Sequence, residues 1–82
     1  MKYSIELKAT AVKDLKRIGK DTAVRITKWI MAMSDDLQGD IKKLQDNEPN
    51  YRLRVGDFRV LFDLEGNNVV VYRVMHRKES YR

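Results

Sequence analysis

Cysteine is absent from these 82 residues, and histidine and proline each occur once. Disulfide stapling, thiolate zinc clusters and Cys–His nucleophiles are therefore excluded. No apolar stretch approaches the roughly 18 residues of a membrane span, and Met1 leads straight into alternating polar and apolar positions. Neither a membrane span nor a signal peptide is expected, and the chain is expected in the cytoplasm. No glycine-rich phosphate loop precedes a helix. What is present is a hydrophobic fraction of 43%, enough for one small core, and a net charge of +5. Intrinsic disorder calls for fewer large apolar residues and a greater charge imbalance. The length allows a single domain, residues 1–82.

The positive charge is unevenly placed. Eight of nine lysines precede residue 51, whereas six of eight arginines (Arg52, Arg54, Arg59, Arg73, Arg77 and Arg82) follow it. Lysine is a strongly hydrated point charge suited to a wet helix face. The guanidinium fork matches phosphate or carboxylate geometry in a bidentate way. The arginine-rich second half therefore points either toward a polyanion or simply toward strands, which tolerate arginine better than lysine.

Residues 2–8 alternate, with Tyr3, Ile5 and Leu7 on one side, as a half-buried strand requires. Thr10 is a natural N-cap for a helix carrying Ala11, Leu15 and Ile18 inward and Lys13, Asp14, Lys16 and Arg17 outward, with Gly19 ending it. Asp21 is placed to cap a second helix whose apolar stripe is Ala23, Ile26, Ile30, Met33 and Leu37. A two-residue junction makes the pair a hairpin. Residues 38–50 mix Gly, Asp, Asn and Pro around Ile41 and Leu44 and read as a loop. Three strands follow, Tyr51 to Val55, Phe58 to Leu64 and Val69 to Met75, with turns at Gly56-Asp57 and at Glu65 to Asn68. The expected fold is α+β, in the order β-α-α-β-β-β, with the helical hairpin on one face of a mainly antiparallel four-stranded sheet.

In Tyr51-Arg52-Leu53-Arg54-Val55 the odd positions are apolar and the even ones cationic, so both arginines point away from the helices. If Gly56-Asp57 is a two-residue turn, Val55 pairs with Phe58 and Arg54 stands opposite Arg59. Three arginines then share the open face. Like charges about 5 Å apart repel by roughly 1 kcal/mol in water and ~3 kcal/mol at a surface-like dielectric. Stability alone explains that arrangement poorly, whereas a bound polyanion reverses its sign. The next turn decides the rest. An even number of residues places Val70, Tyr72, Val74 and His76 on the arginine face, and an odd number places Arg73 and Arg77 there. The even case is preferred because it brings His76, whose side-chain type titrates near neutrality, close to Arg59.

The run Tyr51-Arg52-Leu53-Arg54-Val55-Gly56-Asp57-Phe58-Arg59-Val60, with the ending Val74-Met75-His76-Arg77-Lys78-Glu79-Ser80-Tyr81-Arg82, resembles the RelE/ParE superfamily of type II toxins, particularly its RelE branch. The resemblance spans the chain and implies the same element order. It also implies a ribosome-dependent mRNA endonuclease that cuts within the ribosomal A site, is neutralised by a cognate antitoxin, and needs no metal or other cofactor. Arg52 and Arg54 stand where the best-known RelE type has two strand lysines. Arg59 matches its strand arginine, and Arg77 and Tyr81 match its C-terminal arginine and tyrosine. A lysine with a lowered pKa can take a proton, but arginine stays protonated, so Arg52 and Arg54 bind or stabilise charge. Other branches use a histidine near the chain end, which makes His76 the leading acid/base candidate. Lys43, Arg73, Lys78 and Arg82 are expected as further RNA contacts. The expected reaction is attack of an RNA 2′-hydroxyl on its own 3′-phosphate. Two other readings share these features: a ParE-like inhibitor of DNA gyrase, and an RNA-binding module without chemistry.

Overall fold

The computed structural model describes residues 2–37, 39–44 and 49–80. Its elements are β1 (Ser4–Leu7), α1 (Ala9–Arg17), α2 (Lys20–Ala32), β2 (Asp40–Lys43), β3 (Tyr51–Val55), β4 (Phe58–Glu65), β5 (Asn68–His76) and the short α3 (Arg77–Ser80). The strands form one sheet in the order β1-β5-β4-β3-β2, parallel only between β1 and β5. Helices α1 and α2 cover one face. The core between the layers holds Ala11, Ile26, Ile30 and Met33 from the helical side against Leu53, Val55, Val60, Phe62, Val69, Val71 and Val74 from the sheet. The expected α+β class and element order therefore hold, with one strand more than expected.

That extra strand is β2, within the segment read as a loop. It pairs antiparallel with β3, Asp40 opposite Arg54 and Lys42 opposite Arg52. Only Ile41 of its four residues is apolar, which is too little alternation to mark a strand. Gly39, with φ near 103°, turns the chain into it beneath the ring of Trp29.

The helix boundaries differ from the capping expected. Helix α1 begins at Ala9 with Lys8 at the N-cap, and the Thr10 hydroxyl instead donates to the Tyr72 carbonyl at 2.6 Å. Gly19, φ 97°, ends α1 as expected and is also the N-cap of α2. Asp21 sits in the first turn of α2, where a negative charge suits the helix dipole, without capping it.

Both hairpin turns contain two residues. Val55 pairs with Phe58 and Arg54 with Arg59, as expected from Gly56-Asp57. Glu65 pairs with Asn68 around Gly66-Asn67, so the second turn is even. Pairing then slips: Phe62 faces Val71 but Leu61 faces Arg73, which leaves Tyr72 as the extra residue of a β-bulge. A one-residue slip exchanges the faces of everything beyond it. Val74 and His76 therefore lie on the helix side, opposite Val60 and Phe58, and Arg73 and Met75 take the arginine face.

The bulge has a physical cause. β1 stops at Leu7, and α1 runs on along the β5 edge in its place. Lys8 N–H donates to Val71 O at 2.9 Å, Thr10 Oγ1 to Tyr72 O, and Val74 N–H donates to Asp14 Oδ2 at 2.9 Å. Asp14 was expected on the solvated side of α1. It is instead 5% exposed, because it replaces the missing strand as acceptor for a buried backbone N–H.

Candidate functional site

Arg54 and Arg59 meet across the β3–β4 hairpin because the Gly56-Asp57 turn sets a register with no residue to spare. Gly56 has φ near 59°. A methyl group there would fall 2.7 Å from Arg25 Nη2, which shows that Arg25 reaches from α2 to this turn. At the other end of β5, the Arg77 N–H donates to the Asp57 carbonyl at 2.7 Å and ties the start of α3 to the same turn. Arg54, Gly56, Asp57, Phe58, Arg59 and Arg77 thus line a recess of about 40 Å³. Three arginines and one aspartate are among its lining residues, and the Arg25 guanidinium lies beside the turn. The excess of charge-assisted donors suits one phosphate group.

Not every expected member is in this cluster. Arg52 shares the open face but is turned toward β2. Its Nη1 donates to the Asp40 carbonyl at 3.1 Å and lies 3.5 Å from Asp40 Oδ1, with 14% of the side chain exposed. The acid that meets it comes from the strand missed in the sequence. Lys43 stands opposite Tyr51, on the helix side of the sheet, while its neighbour Lys42 takes the arginine face opposite Arg52. Lys78 is exposed in the first turn of α3, and Tyr81 and Arg82 lie outside the described residues.

His76 is not on the arginine face, because the bulge moves it to the helix side. It pairs with Phe58, the two rings packing edge to face with centroids 5.2 Å apart. Phe58 in turn lines the recess. His76 Nδ1 accepts a hydrogen bond from Lys78 N–H at 3.2 Å, so the proton of the neutral ring is assigned to Nε2.

Arg73 belongs to a second cluster at the β5 edge. Its Nε donates to Asp14 Oδ2 at 2.7 Å and its Nη2 to Oδ1 at 3.2 Å, and Arg17 Nη2 also reaches Oδ1 at 3.2 Å. Burial pushes the Asp14 carboxyl up, but the Arg73 hydrogen bonds, the Val74 N–H and the charges of Arg73 and Arg17 outweigh it and hold the group below its ordinary value. Among the described residues, no three His, Asp or Glu side chains gather as metal ligands. No helix there is long and apolar enough to cross a membrane.

Of the residues bearing on these two clusters, Asp57, Arg25, Lys42, Asp14, Arg17 and Lys13 were not singled out as functional in the sequence. Asp57 had a signal, its place in the turn beside Arg59. The others depend on tertiary packing or on β2.

The family described as ParE toxin of type II toxin-antitoxin system, parDE, matches residues 5–81. Toxin RelE3 of Methanocaldococcus jannaschii is 36% identical over 77 residues, covering 88% of each chain. A chain of the RelB-RelE antitoxin-toxin complex from Methanococcus jannaschii aligns with a TM-score of 0.78 at 32% identity, over 93% of this chain and 94% of that one. The toxin-antitoxin complex RelBE2 from Mycobacterium tuberculosis gives a TM-score of 0.80 at 23% identity, over 94% of this chain and 100% of that one, a likeness of fold.

Proposed function

The chain belongs to the RelE/ParE superfamily of type II toxins, and from that membership we propose that it is a ribosome-dependent mRNA endonuclease, metal-independent, cytoplasmic and held inactive by a cognate antitoxin. The observation that carries the reading is the recess where Arg54, Arg59 and Arg77 converge. In the proposed reaction the RNA 2′-oxygen bonds to the adjacent phosphorus, the bond from phosphorus to the 5′-oxygen breaks, and a 2′,3′-cyclic phosphate and a 5′-hydroxyl result. The 2′-hydroxyl proton leaves and the 5′-oxygen gains one. Arg54, Arg59 and Arg77 stabilise the charge that grows on the phosphoryl oxygens, the effect that often dominates such steps. Arg52, anchored on Asp40, contributes positive potential from beside the recess. His76 moves the proton through Nε2, from behind Phe58. Tyr81 stacks on or orients the nucleotide, and Lys78 and Arg82 add phosphate contacts. So few parts fit a reaction whose in-line geometry is imposed by the ribosome.

The antitoxin role rests on the family and on the complexes in which similar chains were solved. The family's ParE description supports a second reading, inhibition of DNA gyrase. Induced expression with pulse labelling separates the two. The endonuclease stops protein synthesis within minutes and leaves DNA-damage signalling at its resting level. A gyrase inhibitor raises that signalling while translation continues.

A further inference from the structure

Beside the recess, the β5 edge carries an open cleft of about 290 Å³ lined by Thr10, Lys13, Asp14, Arg17 and Arg73. Three cations and one carboxylate leave it net positive. Asp14 is nearly buried and accepts from Arg73, Arg17 and Val74 N–H, so its oxygens are committed to the protein. A carboxylate so occupied offers little to an incoming cation and instead fixes two guanidinium groups at one place. Arg17 and Arg73 keep 55% and 39% of their side chains exposed, and Lys13 is exposed. An anion entering the cleft meets donors that are already positioned, which lowers the ordering entropy lost on binding.

The strand register relates the cleft to the recess through one residue of each, Arg73 and Arg59. The bulge at Tyr72 puts Arg73 on the arginine face, opposite Leu61, while Arg59 stands opposite Met75. Arg59 and Arg73 are thus diagonal neighbours on adjacent strands, about 7–8 Å apart at the backbone. That is close to the spacing of successive phosphates along a single strand. By register Arg54, Arg59 and Arg73 follow one another along the arginine face, and Arg73 and Arg17 meet at Asp14.

We propose that the Lys13–Arg17–Arg73 cleft is a second RNA-backbone site, holding a phosphate of the single strand one or two nucleotides from the one seated in the recess. This rests on the endonuclease reading for its ligand but makes a separate claim about where that ligand lies. Binding of a labelled ten-nucleotide single-stranded RNA to the purified 82-residue chain tests it. Lys13→Gln and Arg17→Gln are compared with Lys28→Gln, an equal charge loss on the exposed side of α2. The first two are expected to weaken binding several-fold and to lower the slope of log affinity on log salt by about 0.7 each. Lys28→Gln changes neither. In cleavage assays on translated messages, Lys13→Gln raises the KM and leaves kcat within about twofold. Equal binding by all three variants overturns the cleft assignment even if the wild type cuts RNA. Weaker binding of the antitoxin with unchanged RNA binding also overturns it, since the cleft is then a protein contact. Selective RNA-binding loss in a chain that cuts nothing supports the cleft and removes the endonuclease reading alone.

Discussion

Arg54 and Arg59 stand directly opposite each other across a two-residue hairpin turn, with Asp40 of β2 opposite Arg54 on its other side. The acid divides the arginine face. Arg52 is matched with Asp40, Arg73 with Asp14, and Arg54, Arg59 and Arg77 are gathered at the recess. The crowding expected from the sequence is therefore narrower than three exposed strand arginines, and it is centred one strand end away, at the turn.

Replacing one member of this pair relieves like-charge opposition and, on the proposed reaction, removes transition-state stabilisation. Arg54→Gln is expected to match or exceed wild-type stability, by up to about 1 kcal/mol in urea unfolding. Cleavage is expected to fall by about 10²–10³-fold. A loss of stability parallel to the loss of activity would assign this arginine to the fold.

Asp14 behaves in the opposite way. Its carboxyl is held below the ordinary value, so its stabilising contribution is fully present above about pH 4 and is lost as pH falls through the lowered folded value. Thermal unfolding from pH 7 to pH 3 should show the wild type losing more stability than Asp14→Asn. At pH 7, Asp14→Ala should cost about 2 kcal/mol, chiefly from stranding the Val74 N–H and the Arg73 guanidinium.

What could be read in advance was whatever period and turn chemistry encode. The β3–β4 register follows from Gly56 and from Leu53, Val55, Phe58 and Val60, and the helix stripe from Ile26, Ile30 and Met33. The bulge could not be read. Val69, Val70 and Val71 are all buried, so the run carries no alternation to mark a change of face. Its cause, α1 replacing β1 beside β5, is tertiary. Asp14 looks like any acid among the lysines of an exposed helix, and its burial is visible only once Val74 is beside it. β2 escaped because one inward Ile41 between Gly39 and two lysines gives no pattern.

Gly39 supports that hidden strand. A methyl group there would lie 2.9 Å from Leu53 Cδ1 and 3.1 Å from Trp29 Cζ3, at a φ of 103° that side chains other than hydrogen rarely adopt. Gly39→Ala should destabilise by about 2 kcal/mol. Hydrogen exchange should show faster opening of Lys42 and Ile41 than of β4 and β5, since β2 is an edge strand paired on one side only.

Two groups are candidates for carrying the proton in the proposed reaction. His76 lies behind Phe58, and Asp57 lines the recess itself. If His76 shuttles the proton, His76→Ala lowers single-turnover cleavage by about 10²–10⁴-fold and Asp57→Asn changes it little. The reverse pattern moves the role to Asp57 without removing the endonuclease.

Primer extension on messages under active translation, with wild type and Arg59→Ala expressed at equal levels, bears most directly on the whole account. Strong stops within codons, fragments ending in a 2′,3′-cyclic phosphate, and their disappearance in Arg59→Ala are the predicted result. Intact messages from wild type, or undiminished cutting by Arg59→Ala, would contradict it.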